Sequence, residues 1–207
     1  MGRFITFEGG EGSGKTTQIE RLARVVQGWG RGVVVTREPG GTDLGRALRD
    51  LILGHAYRPV PLAELLMLLA DRAQHVDEVV RPALAAGKVV LSDRFTDATL
   101  AYQVAGRGLD APWVREAVRA AAGSLVPDLT LLLDVPVETG NDRVQGRGRS
   151  DRLDAESATF HRAVREAYER LRVAEPGRMR RIDASLDPEA VHRRILEIVE
   201  SVIERPR

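Results

Sequence analysis

The chain has 207 residues, 43% hydrophobic and 29% charged, enough for one α/β domain with a full core. Its 31 Lys and Arg against 30 Asp and Glu leave a net charge of +1, so no global positive excess asks for nucleic acid or an anionic membrane. The absence of cysteine excludes disulfides, zinc–cysteine sites and thiol nucleophiles.

The pattern reads in chain order as strands alternating with helices. Phe4–Phe7 is a strand and Thr16–Trp29 a helix, with Ile19, Leu22, Ala23 and Val26 at helical spacing. Val33–Thr36 is the next strand, closed by Pro39-Gly40-Gly41, and a helix is predicted over Leu44–Leu53. A strongly apolar helix, Leu62–Leu69, extends toward about Ala85. Val89–Leu91 is a buried strand ending at Ser92-Asp93-Arg94. Helices are predicted near 97–103 and 112–122, then a near-continuous apolar strand over Leu129–Val135. Helices near 137–145, 155–173 and 188–203 follow, with a short strand at Met179–Ile182. This alternation predicts one domain built on a doubly wound, parallel, five-stranded sheet flanked by helices. The apolar start is too short for a signal peptide, and no run of about 18 apolar residues spans a membrane, so the cytoplasm is the expected compartment.

Gly9, Gly14, Lys15 and Thr16 satisfy G-x-x-x-x-G-K-[S/T] between a strand and a helix. Glycines let backbone N–H groups turn inward around a phosphate, and a helix N-terminus adds a favourable dipole. The ATP-binding stretch is Gly10, Glu11, Gly12, Ser13, Gly14, Lys15, Thr16 and Thr17, with Lys15 directed at the β- and γ-phosphates. Glu11 stands out, because a carboxylate in an anion cradle repels its ligand. Either it faces solvent, or it meets a sugar hydroxyl, a metal-bound water or an arginine.

Ligands of open parallel sheets bind beyond the carboxyl ends of the strands. Asp93 therefore falls where Mg²⁺ would be met, together with Thr16, and Arg94 where a second phosphate would be clamped. Thr36-Arg37-Glu38-Pro39-Gly40-Gly41 ends a strand at the same edge. Residues 143–152 carry Arg143, Arg147, Arg149 and Arg152 with two glycines, the composition of a lid that brings positive charge and excludes water. The four histidines match no metal-ligand spacing and read as structural or exposed, and Trp29 and Trp113 read as packing residues.

These segments, with Ala70-Asp71-Arg72-Ala73-Gln74-His75, Ala101-Tyr102-Gln103, Gly106-Arg107-Gly108 and Asp151-Arg152-Leu153, resemble bacterial thymidylate kinases along nearly the whole chain. The resemblance implies transfer of the ATP γ-phosphate to dTMP with Mg²⁺, in a homodimer. It implies that Arg94 holds the dTMP phosphate with Arg37, Glu38 and Arg49 nearby, and that Glu11 lies near the sugar 3′-hydroxyl. It also implies that Arg72, Thr99, Tyr102 and Gln103 line the base site, and that Arg152 is the lid arginine, helped by Arg147 and Arg143. The family usually has Phe at Leu68, Ser at Ala98, often Ser at Thr99, and Gly at Val104, and all four are expected around the base pocket. Another nucleoside monophosphate kinase, one with relaxed specificity, or a non-catalytic nucleotide switch are the alternatives. The helix Leu62–Leu69 is apolar on several faces, which suits either a subunit interface or full burial.

Overall fold

The computed structural model describes residues 1–146 and 151–203; Arg147 and Arg149 of the expected lid lie outside the described residues. The elements are β1 (Arg3–Glu8), α1 (Lys15–Gly28), β2 (Val33–Arg37), α2 (Asp43–Leu53), α3 (Pro61–His75), α4 (Arg81–Ala85), β3 (Val89–Asp93), α5 (Thr96–Thr99), α6 (Ala111–Ala121), β4 (Leu129–Asp134), α7 (Val137–Gln145), α8 (Ala158–Ala174), β5 (Met179–Asp183) and α9 (Pro188–Val199). The five strands form one parallel sheet in the order β2-β3-β1-β4-β5, as the strand–helix alternation predicts.

Burial follows position in the sheet. The apolar runs of β1, β3 and β4 are the three inner strands, and their residues are almost wholly buried. The edges β2 and β5 are more exposed, with Val35 51% exposed on β2, and Met179 and Ile182 buried but Arg180 and Arg181 exposed on β5. On one face Ile5, Phe7, Leu91 and Leu131 pack under α1 and α9. On the other, Phe4, Val90 and Phe95 join Val76 and Val80, while Leu132 joins the aromatic residues of α8. Side chains cap several helices: Thr42 accepts from Gly45 N at 2.9 Å, Asp110 from Trp113 N at 3.0 Å, and Asp187 from Glu189 N and Ala190 N, both at 3.0 Å.

Three sequence expectations are modified. The long helix toward Ala85 continues, but through a π-helical turn at Val76–Val80. Pro82 lies just beyond that turn and has no N–H to return to the carbonyl four residues back, so the register loosens there. The helix near 97–103 is the short α5 followed by a π-helical segment, Leu100–Gly106. The helix expected from 155 begins at Ala158, because Asp151 first folds a turn by accepting from Leu153 N and Asp154 N and Ser157 then caps α8. Full burial of Leu62–Leu69 is excluded: Leu62 and Leu66 are about half exposed, while Glu64 and Leu65 of the same helix are buried. Trp29 packs on the core, whereas Trp113 is 44% exposed on α6 and contributes little burial. No helix among the described residues is long and apolar enough to cross a membrane.

Glu8 ends β1 in full burial, accepting from Phe95 N and Tyr168 Oη, both at 2.8 Å. Burial, with the charge of Asp97 behind it, pushes its carboxyl from 4.5 up to about 7. Between those values the folded chain holds the proton and the unfolded chain has lost it, so stability falls as pH rises through the window. Glu8→Gln removes this dependence. Urea denaturation is expected to show the variant gaining on the wild type by on the order of 1–3 kcal/mol between pH 5 and pH 8. Parallel pH profiles for the two proteins contradict the assignment.

Candidate active site

The turn from β1 into α1 is built around what glycine alone permits. Gly9 (φ 137°) and Gly12 (φ 68°) lie in left-handed backbone conformations, and a Cβ at either would collide with a carbonyl, that of Leu133 or Gly140 respectively. The loop therefore presses against β4 and α7 and keeps its N–H groups turned inward. α1 has no side-chain cap at its N-terminus, unlike α2, α6, α8 and α9. Its first N–H groups thus remain for an anion. Lys15 folds back over the loop and donates to Gly9 O at 3.1 Å, Gly10 O at 3.0 Å and Ser13 Oγ at 3.2 Å. Burial, then the nearby charge of Arg94, hold its ammonium below the ordinary lysine range. Thr16 Oγ1 donates to Asp93 Oδ2 at 3.3 Å, joining the loop to the end of β3. Thr17 sits on the exposed side of α1, outside the cleft lining, and Gly10 borders a separate small cavity behind the loop.

Glu11 meets an arginine. Arg94 Nη2 pairs closely with its Oε1, Tyr102 Oη donates to the same oxygen at 2.9 Å, and the Arg94 guanidinium stacks 4.6 Å from the Tyr102 ring centroid. Burial pushes the Glu11 carboxyl up, but Arg94, Lys15 and the Tyr102 hydroxyl outweigh it and hold it at about 2. Its carboxylate is thus turned to Arg94 and Tyr102, with the side chain 19% exposed, and not outward to solvent. Arg94 occupies φ 71°, an unfavourable region for a side-chain-bearing residue, and its N–H donates to Phe7 O at 2.9 Å. The strained turn aims the guanidinium back over the phosphate loop instead of along the strand.

The opposite wall comes from β2, α2 and α3. Arg37 and Arg49 line it side by side, Arg49 Nη1 donating to Pro39 O at 2.9 Å, and burial followed by the charge of Arg37 lowers the Arg49 pKa. Arg72 is buried and committed to Glu38 (2.9 Å), Thr99 Oγ1 (2.9 Å) and Phe95 O (2.9 Å). His75 is buried between Glu38 and Thr36, which fits its reading as structural. Leu68, Ala98, Thr99 and Gln103 all line the cleft. Val104 does not: one step further round the π-helical segment, it packs with Leu65, Val114 and Val118. Its expected place beside the base pocket is corrected accordingly.

The lid residues separate. Arg143 Nη1 donates to Ala184 O at 2.9 Å and Gly12 O at 3.4 Å, so it sits behind the phosphate loop. Arg152 is turned away from that loop: it pairs closely with Glu64 and donates through Nε to Ile52 O at 2.9 Å. Arg147 lies outside the described residues. Four acids of the cleft lining were given no site role by the sequence: Glu64, Asp71, Asp151 and Asp154. Glu64 is a lone carboxylate inside the apolar run Leu62–Leu69, an anomaly that could have flagged it. Asp71 gave no local signal; its Oδ1 accepts from Gly40 N at 3.0 Å, its Oδ2 has no partner, and burial followed by Glu38 pushes it up to about 6.

A family model described as thymidylate kinase matches residues 7–195. The chain belongs to the thymidylate kinase family. It is 51% identical to the thymidylate kinase of Desulfovibrio desulfuricans over 214 residues, covering 98% of this chain and 97% of that protein. It is 50% identical to that of Thermomicrobium roseum over 209 residues, covering 100% and 99%. The crystal structure of thymidylate kinase from Ehrlichia chaffeensis superposes with a TM-score of 0.78 at 32% identity, over 96% of this chain and 98% of the other.

Gly12→Ala tests the loop geometry. The added methyl must displace Gly140 or open the loop, so ATP binding measured by calorimetry is expected to weaken about tenfold or more with the fold retained by circular dichroism. Unchanged ATP affinity counts against the loop as the nucleotide cradle.

Proposed function

We propose that this chain transfers the γ-phosphate of ATP to dTMP, giving dTDP, as a cytoplasmic homodimer of single-domain subunits. The observation that carries the reading is Arg94, which leaves the strand beside β1 and pairs with Glu11 of the phosphate loop. A cation fixed there can hold an acceptor phosphate in line with the donor held by the loop.

Residues Gly10–Thr17 hold ATP, with Lys15 exchanging its loop carbonyls for phosphate oxygens. Arg94 binds the dTMP phosphate, and Arg37 and Arg49 add positive charge on its far side. Glu11 keeps Arg94 oriented and stands near the sugar. Held at about 2, it is a poor base, and none is needed, because the attacking phosphate oxygen is already ionised. Arg72, Thr99, Tyr102, Gln103 and Leu68 surround the base. Arg152, released from Glu64, and Arg147 close over the transferring group as the lid, approximately residues 143–153.

The Thr16 hydroxyl and Asp93 carboxylate fit Mg²⁺, being hard oxygen donors 3.3 Å apart. Among the described residues no group of three or more His, Cys, Asp or Glu is placed to hold a metal ion. Bound there, Mg²⁺ would neutralise charge on the donor phosphates. The homodimer is supported by an apolar surface carrying Leu51, Val60, Leu62 and Leu66, each at least 40% exposed.

Phosphorylation of dTMP, dUMP, dCMP and dGMP with ATP tests the assignment, with dTMP expected to be strongly preferred; preference for the purine nucleotide would sink it. A nucleotide switch predicts ATP binding with no acceptor at all. Arg94→Ala is expected to lower kcat/KM for dTMP by roughly a hundredfold or more while ATP binding survives. Equal loss of both contradicts its role. Arg152→Ala is expected to lower kcat mainly, and an unchanged kcat removes it from the lid's work.

A further inference from the structure

Glu64 is a buried carboxylate, 1% exposed, ringed by donors. Gln103 Nε2 donates to its Oε1 at 2.7 Å, Arg107 donates to both its oxygens at 3.2 and 3.3 Å, and Arg152 pairs closely with Oε2. Arg107 is itself anchored by Glu156 at 2.6 Å and stacks 4.8 Å from the Phe160 ring centroid. Burial pushes the Glu64 carboxyl up, but the hydrogen bonds from Gln103, Arg152 and Arg107 outweigh it, so the group stays ionised.

An ionised carboxylate accepts and cannot donate. The Gln103 amide must therefore present its nitrogen to Glu64, and its oxygen must lie on the other side. That oxygen is buried and has no partner among the described residues, on a residue that is 1% exposed and lines the cleft beside Leu68, Arg72 and Thr99. A buried acceptor left alone loses its hydration without compensation, and a ligand donor at that point restores a partner.

We propose that Glu64 sets base selectivity: by fixing the Gln103 amide, it presents a lone acceptor that matches the ring N–H of a thymine or uracil imide and opposes the ring-nitrogen lone pair of cytosine. This rests on the thymidylate reading of the cleft. Glu64 is here a positioning residue, acting through Gln103. Its hold on Arg152 affects every monophosphate alike and cancels in a ratio of substrates.

Glu64→Gln places a group at 64 that can donate, so the Gln103 amide can turn and offer its N–H groups to the cleft. The ratio of kcat/KM for dTMP over dCMP is expected to fall about tenfold or more, carried by KM for the monophosphate. The dTMP to dUMP ratio stays constant, since both bases carry the imide. In a Gln103→Leu background the same substitution is expected to leave the dTMP to dCMP ratio where Gln103→Leu put it. A smaller fall, or an equal fall in that background, overturns the proposal. Side-chain amide NMR of the wild-type protein tests it without any change at 64. The Gln103 amide protons, assigned by their loss in Gln103→Leu, are expected to exchange slowly with solvent before ligand is added and to keep their shifts when dTMP binds. Fast exchange, or a large shift on binding, refutes the assigned orientation. Failure of the wild-type protein to phosphorylate dTMP would instead count against the functional reading, and a change in the Gln103 amide proton shifts between ligand-free wild type and Glu64→Gln still decides whether Glu64 holds the amide; unchanged shifts refute it.

Discussion

The parallel pairing of β1 with β3 is the constraint on which the site depends. Phe7 stands opposite Asp93 in the register, and the Arg94 N–H closes the ladder onto Phe7 O. Both strands then end at one edge, so the phosphate loop leaving β1 and the Asp93-Arg94 turn leaving β3 must lie side by side. The apolar runs that force these strands inward also deliver a donor site and an acceptor site about one strand spacing apart. A one-residue slip would turn Asp93 and Arg94 to opposite faces and separate the two.

Charge in the cleft is balanced locally, not globally. Net charge is nearly zero, yet Lys15, Arg37, Arg49, Arg72 and Arg94 face one cavity. Four of the five are held by a neighbour that limits their freedom: Glu11 for Arg94, Glu38 for Arg72, backbone carbonyls for Lys15 and Arg49. These contacts offset positive charges that would otherwise repel one another. A phosphate replaces such contacts with stronger charge-assisted bonds. Glu64 extends the scheme to the lid, since the same carboxylate holds Arg152, Arg107 and Gln103.

Motifs that act through the backbone were legible in the sequence. The phosphate loop, the two strand-end arginines and the five strands all emerge from local spacing and apolar runs, because glycine freedom and strand burial are short-range properties. Glu11 was legible only as a conflict: the residue was conspicuous, but four partners stood open. Val104 was expected at the base pocket by resemblance alone; in the π-helical segment it falls on the side that packs with Leu65, Val114 and Val118, a placement that residue type does not announce.

The amino-acid sequence by itself determined the sheet, the nucleotide loop and the family, since those depend on contiguous residues and their period. Only the tertiary structure decided who partners whom. Glu11 is 83 residues from Arg94, and Glu64 is 88 from Arg152, so neither pairing is encoded in any local pattern. Such contacts arise when separate strand ends and helices converge on one cleft, where burial makes every unpaired charge costly and selects the partner that satisfies it.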